Sequence, residues 1–173
     1  MTRRGAADVA AFLEARGLSG RIRTFAESTG SADAAARALG VELGQVAKTM
    51  LLFVDGRPVA AVLPGDRRVD FRVAKEALSA KRVRMAGAEE VEARTGYAVG
   101  SVSPLALPEG LEVRLDDALR RFVKIYPAAG DANSMFATTP GELASLCGGA
   151  WTSLSAPSPS REGVGDGDGP GGE

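Results

Sequence analysis

The sequence predicts one mixed α/β (α+β) domain. Segments of helical periodicity alternate along the chain with short apolar runs of β type, which places helices against a shared sheet. Thr49–Val54 and Pro58–Leu63 flank Asp55-Gly56, a tight-turn pair, so at least these two strands form an antiparallel hairpin. The chain has 173 residues, 45% of them hydrophobic and 25% charged. At that size a single core buries roughly two-thirds of the unfolded surface.

In chain order, Val9, Phe12, Leu13 and Leu18 recur at helical spacing, and Gly17 or Gly20 ends that helix. Arg21–Ala26 alternates as a short strand. Ser31 reads as an N-cap, with Asp33 in the first turn of an alanine-rich helix that stops at Gly40. A helical turn over Glu42–Ala47 leads into the hairpin, which Pro64-Gly65 closes. Asp70 caps a helix to about Ala80, with Phe71, Ala74 and Leu78 expected inside. Val83–Ala86 reads as a strand and Ala88–Thr95 as a helix ended by Gly96. Further strands are expected near Leu111–Leu115, Phe122–Ala128 and Met135–Thr138. Pro140 opens a last helix through Leu146, stopped by Gly148-Gly149.

From Ala156 the composition changes to proline, serine, glycine and aspartate, with almost no apolar side chains to offset the entropy of ordering. Residues 1–155 are therefore expected as the folded domain and 156–173 as a disordered tail. The formal charge is -1, but four of the 22 acidic residues and one of the 21 basic ones fall in the tail. The remainder is weakly positive, a balance compatible with RNA. No apolar run approaches the roughly 20 residues that span a bilayer, and the start carries no signal-peptide pattern. The one cysteine, Cys147, fits a reducing compartment, so a cytoplasmic location is expected.

Histidine is absent, which rules out Ser-His-Asp and Cys-His nucleophile pairs and, with a single cysteine, a Cys/His zinc site. No phosphate-binding glycine loop of either common type occurs. Any enzyme built on this chain has backbone amides, lysine, hydroxyls, carboxylates and water to work with. Neither a metal nor a cofactor is expected.

An ordered set of local patterns goes further. Ala34-Ala-Ala-Arg-Ala-Leu-Gly40 precedes Gln45-Val-Ala-Lys48-Thr-Met-Leu-Leu; Leu63-Pro-Gly-Asp66 and Arg68-Val-Asp70 follow. Thr95-Gly-Tyr-Ala-Val-Gly-Ser-Val-Ser-Pro104, Ala128-Ala-Gly130 and Thr139-Pro-Gly-Glu-Leu143 complete the series. In this order and spacing the chain resembles the YbaK family, which includes free-standing editing proteins and the editing domain of some prolyl-tRNA synthetases. The resemblance covers about residues 20–155. It implies a mixed, partly barrel-like sheet flanked by helices.

The site is expected from the same resemblance. On its own, Lys48 reads as a charge at the mouth of an apolar strand. The resemblance places it in the substrate cavity, where an ammonium suits an ester carbonyl or a terminal phosphate oxygen. Gly100, Ser101, Val102, Ser103 and Pro104 read either as a strand-ending turn or as a loop whose amides cradle the scissile carbonyl. Many relatives have a second glycine where this chain has Ser101. Gly130 resembles a glycine turn beside the cavity, after which some relatives carry a histidine; here Asp131 follows, as a water-positioning carboxylate or a turn residue. Phe25 is placed on a pocket wall or in the core, and Met50 narrows the cavity. The basic series Arg67, Arg68, Arg72, Lys75, Lys81, Arg82 and Arg84 is a solvated face or a contact for tRNA phosphates.

The activity implied is metal-independent hydrolysis of the ester of a mischarged tRNA carrying a small amino acid, with tRNA-Pro a candidate. The partners expected are tRNA and an aminoacyl-tRNA synthetase, with no membrane and no DNA. A binding module that kept the cavity without the chemistry is the alternative reading, and hydrolysis of another small acyl ester is a third.

Overall fold

The computed structural model describes residues 2–159; the expected tail lies, from residue 160 on, outside the described residues. Helix α1 (Ala6–Glu14) buries Val9 and Leu13, one turn apart, and Asp8 accepts the Gly5 N–H at 2.8 Å. Strand β1 (Ile22–Thr24) follows. Helix α2 (Ala32–Leu39) begins where Ser31 Oγ accepts the Ala34 N–H at 3.1 Å, and it ends on Gly40 at φ 68. Both ends match the expected capping chemistry.

A 3-10 turn, Leu43–Gln45, delivers the chain into β2 (Val46–Val54), whose hairpin partner is β3 (Arg57–Pro64). Asp55 and Gly56 both take positive φ, 48 and 80, as a two-residue hairpin turn requires. The Gly65 N–H donates to the Val46 carbonyl at 2.7 Å, which fixes the phase of the ladder. Even-numbered residues of β2 bond to β3, and odd-numbered ones direct their N–H and C=O to the opposite edge. Pro58 and Pro64 lie across from Phe53 and Ala47, odd positions where β2 asks for no amide.

The main sheet adds β5 (Val83–Met85) antiparallel to β2, β6 (Glu112–Asp116) parallel to β3, and β9 (Ala150–Thr152) parallel to β6. Strand β7 (Tyr126–Pro127) runs parallel to β2 beside its first residues. Two ribbons flank this sheet: β1 with β8 (Ser134–Phe136), and β4 (Arg67–Val69) with β10 (Ser155–Pro157). Among the described residues the sheet is open, with β5 and β9 at its ends, and no closed barrel forms. The mixed α/β class holds.

The hairpin separates two apolar layers. Leu51, Phe53, Ala60 and Val62 pack with Val9 and Leu13 of α1, Val91 of α4 (Ala88–Thr95) and Leu143 of α5 (Pro140–Cys147). Leu52, Val54, Val59, Ala61 and Leu63 pack on the other side with Ala74 of α3 (Phe71–Ala77) and with Leu154. Both faces of these strands are covered, which explains their near-continuous apolar runs. No helix of the described residues is long and apolar enough to cross a membrane.

Strands β4, β9 and β10 were not expected from the sequence, and other features differ from it as well. The strand expected over Phe122–Ala128 shrinks to Tyr126–Pro127, because Asp117–Arg121 is a 3-10 turn and Val123 is 87% exposed, with no face to bury. Phe71 is 38% exposed instead of inside, and Ala74 is the buried residue of α3. The boundary at residue 155 is also too early. Ala156 and Pro157 pair with Arg68 and Arg67, and the Ser158 N–H donates to the Asp66 carbonyl at 3.0 Å. Composition hid this because an edge pairing needs backbone, not apolar side chains.

The register places Ala156 at a hydrogen-bonded position opposite Arg68, so truncation after Ser155 deletes about three backbone bonds. At 0.5–1.5 kcal/mol each, roughly 1.5–4.5 kcal/mol is lost, lowering Tm by about 3–18 °C. Truncation after Pro159 is expected to leave Tm unchanged. Thermal melts of the two variants against the full chain test both statements; equal melting for all three would mean that β10 contributes nothing.

Candidate active site

A cavity of about 300 Å³ lies against the outer edge of β2. That edge is occupied twice. Val46 and Ala47 pair with β7, Leu52–Val54 pair with β5, and the Ala86 N–H donates to the Leu51 carbonyl at 3.0 Å. Between these pairings the strand edge is open from Lys48 to the Leu51 N–H, and this opening is one wall of the cavity. The segment Thr29–Ala32 before and at the start of α2, the loop carrying Val99, Gly100 and Val102, and Met85 with Ala86 form the other walls. The lining is mostly apolar, as small-molecule sites usually are.

Lys48 stands in this cavity, half-buried. Loss of hydration pushes its ammonium below the usual lysine pKa, while the carboxylates of Asp66 and Asp33 hold it up in part. Arg121 grips Asp66 at 2.7 Å, so that carboxylate is shared. Lys48 is the one basic side chain among the residues that line the cavity.

The loop opposite is braced at both ends. Thr95 Oγ1 donates to the Val91 carbonyl at 2.7 Å and accepts the Tyr97 N–H at 3.1 Å. Tyr97 is fully buried, and its hydroxyl donates to the Leu105 carbonyl at 2.7 Å, which ties off residues 98–104 as a closed loop. Burial raises the Tyr97 pKa, keeping the phenol protonated as that donor. Gly100 takes φ 81, and a Cβ there would come within 3.0 Å of the Gly30 carbonyl oxygen. The glycine thus lets the two cavity loops meet, where the sequence suggested an approach to substrate. The Ser101 N–H is committed to the Ala98 carbonyl at 3.0 Å. The Gly100 and Val102 N–H groups have no protein acceptor among the described residues, and both residues face the cavity.

The expected site residues therefore divide. Lys48, Met50, Gly100 and Val102 meet around one cavity. Ser101, Ser103 and Pro104 are buried behind it, with Ser103 Oγ accepting the Leu105 N–H at 3.2 Å. Gly130 does not line it: at φ 102 it packs on Gly5 and Tyr97, where a Cβ would lie 2.7 Å from Gly5. Asp131 Oδ1 accepts the Asn133 N–H at 3.0 Å, a turn bond, and Ala128 supplies that side of the wall. Phe25 exchanges bonds with Asn133 and packs against the small cluster of Ala35, Val46 and Met135. Thr29, Gly30 and Thr49 are cavity residues that pattern reading missed. Their signal, a strand whose edge is interrupted, exists only once the pairing is known.

The basic series also divides. Arg67 turns inward, donating to Ser155 Oγ at 2.7 Å and lying 4.0 Å from Asp116. Arg84 pairs with Glu90 at 2.9 Å and holds that carboxyl down to about 2. Lys75, Lys81, Arg82 and Arg84 border a second depression at the hairpin end of β2, the far end from Lys48. Arg68 on β4 and Arg72 on α3 are exposed and do not border that depression.

Comparison with known proteins agrees with this architecture. The family model described as the aminoacyl-tRNA editing domain matches residues 26–146. The uncharacterized protein YwhH of Bacillus subtilis is 33% identical over 123 residues, 70% of this chain and 78% of that protein. EbsC of Enterococcus faecalis, named as a candidate Cys-tRNA(Pro)/Cys-tRNA(Cys) deacylase, is 29% identical over 72% of this chain and 76% of its own length. The crystal structure of a candidate trans-editing enzyme for prolyl tRNA synthetase superposes with a TM-score of 0.80 at 30% identity, covering 87% of this chain and 96% of that one. Proline–tRNA ligases match too; in that of Nitratidesulfovibrio vulgaris Hildenborough the match is 39% identical but spans only 14% of the ligase. With its model spanning more than half of the sequence, the chain belongs to the aminoacyl-tRNA editing domain family.

Proposed function

We propose that this protein is a trans-acting deacylase that hydrolyses the ester of tRNA mischarged with a small amino acid. The observation that carries the reading is one basic group, Lys48, desolvated in an apolar cavity that also presents the Gly100 and Val102 amides. An aminoacyl ester is already activated, so positioning and carbonyl polarisation supply most of what hydrolysis needs. Lys48 holds the terminal nucleotide or the ester, and the two amides receive the oxyanion. Water forms the new bond to the carbonyl carbon. The ester bond to the ribose breaks, the water's proton passes to the departing ribose oxygen, and free amino acid and tRNA leave. The vicinal ribose hydroxyl is suited to assist that transfer. EbsC and the trans-editing enzyme, by their names, support the same chemistry here. The exposed members of the basic series that pair with no carboxylate among the described residues, Arg68, Arg72, Lys75, Lys81 and Arg82, are the proposed phosphate contacts for the tRNA body. A synthetase that mischarges the tRNA is the natural supplier of substrate.

Purified protein incubated with Ala-, Ser- and Cys-charged tRNA is expected to deacylate at least one of them well above the spontaneous rate, unchanged by a chelator. Binding of these tRNAs with no hydrolysis would leave a binding module in place of an enzyme. Loss of activity on chelation would keep the substrate class and refute the metal-free mechanism.

A further inference from the structure

Three residues with hydroxyl side chains line the cavity, and two are spent on the fold. Thr29 Oγ1 donates to the Ala132 carbonyl at 3.3 Å, and Ser31 Oγ caps α2. The third, Thr49, is different: its Oγ1 is buried and has no hydrogen-bond partner among the described residues. A buried hydroxyl without a partner is destabilising, so its position calls for an explanation that the fold alone does not give.

The backbone beside it makes the same demand. Thr49 is an odd-numbered residue of β2, so its N–H and C=O face the outer edge, away from β3. At that edge β7 reaches only Ala47, and β5 begins at Leu52. The Leu51 carbonyl is taken by Ala86, but the Leu51 N–H has no backbone acceptor among the described residues. One position of an otherwise laddered strand thus offers a carbonyl and two amides to the cavity, beside a buried hydroxyl that the fold leaves unpartnered. Interrupted strand edges bind ligands by the bonds a missing strand would have made.

We infer that Thr49 is the recognition point for the α-amino group of the bound aminoacyl ester, a role that rests on the deacylase reading above. An ammonium has three donors and needs acceptors, yet no carboxylate lines this cavity. The Thr49 carbonyl, with Oγ1 beside it, is the acceptor the strand leaves free, while the ester carbonyl stays with the Gly100 and Val102 amides across the cavity. Side chains alternate along a strand, so Lys48 leaves the opposite face of β2 and the two cations need not converge. The site thereby separates aminoacyl esters from esters of the corresponding hydroxy acids, which an apolar pocket alone cannot do.

The test uses binding and turnover side by side. The binding probe is 3′-alanylamino-3′-deoxyadenosine, whose amide cannot be hydrolysed as an ester, with its lactyl counterpart (hydroxyl for ammonium) as the control. The backbone amide resonances of Thr49 and Leu51 are expected to shift on titration with the alanyl compound. The lactyl compound and the alanyl compound on Thr49→Val are each expected to bind about tenfold more weakly, the worth of one charge-assisted bond. Thr49→Ser, which keeps the hydroxyl, is expected to restore binding. Equal affinity for both compounds in the wild type, or unmoved Thr49 and Leu51 amides on saturation, would overturn the assignment. Deacylation of Ala-tRNA is read in parallel. Discrimination at Thr49 without turnover supports the recognition site and refutes the deacylase; turnover without discrimination does the reverse.

Discussion

Lys48→Ala is expected to fold fully and to lose at least about tenfold in single-turnover deacylation, since one charged contact made in the transition state is worth about 1.4 kcal/mol or more. The stability half of this expectation follows from the same burial. Desolvation lowers the Lys48 pKa in the folded state, and Asp66 and Asp33 offset only part of that cost. A lysine whose folded pKa lies below its unfolded one makes the unfolded chain the stronger proton binder between the two values. Stability then rises with pH across that window, and the charged lysine opposes folding below it. Removing the side chain therefore leaves Tm equal or higher, which separates a functional loss from a folding one. The rate carries a second signature: corrected for spontaneous hydrolysis, it falls in wild type as pH rises through the lowered Lys48 pKa, and Lys48→Ala lacks that fall. A folded Lys48→Ala protein with undiminished turnover would remove the lysine from the mechanism.

What sequence could reveal here depended on whether the determinant was local. Ser31, Gly40, Asp70, Gly96 and Pro140 each set a helix end through chemistry within a few residues, and each stands where the pattern placed it. The hairpin was legible for the same reason: Asp55-Gly56 is a turn whatever surrounds it. Strands β4, β9 and β10 were not, because three-residue edge strands are held by partners up to 90 residues away and carry no periodicity of their own. The site divides likewise. Lys48 and the Gly100 loop were found through their motif. Thr49, one residue from Lys48, was passed over because its environment comes from β5 and β7 stopping short on either side of it. Gly130 and Tyr97 belong to the motif for a different reason than cavity contact. They brace each other and the start of α1, and so hold the loop that does line the site.

Side-chain size is expected to decide which esters are cleaved. A synthetase confuses amino acids that differ by a methylene because such a difference is worth only about 1–3 kcal/mol, or roughly 10–200-fold, in one binding step. A second pocket gains by excluding the larger competitor sterically. On the proposed reading the aminoacyl group would share this cavity, of about 300 Å³, with the terminal ribose, and Met50, Leu51, Val91 and Val102 line it. Leu51, Val91 and Val102 belong to the close-packed core and cannot yield without cost. Met50 is only partly buried and unbranched, so it is the adjustable wall. Alanine, serine, threonine or cysteine esters are thus expected to be hydrolysed, and proline and leucine esters spared by at least about tenfold. Met50→Ala is expected to narrow that gap by speeding cleavage of the larger esters while leaving alanine within about threefold, since it widens the wall without touching Lys48 or the amides. Deacylation of tRNAs carrying each of these six amino acids, by wild type and by Met50→Ala, reads both effects in one assay. Equal rates across the series for wild type would mean that the cavity does not select by size. A Met50→Ala protein that loses alanine activity as much as it gains on leucine would place Met50 against the substrate's common part, the ester and ribose, instead of its side chain.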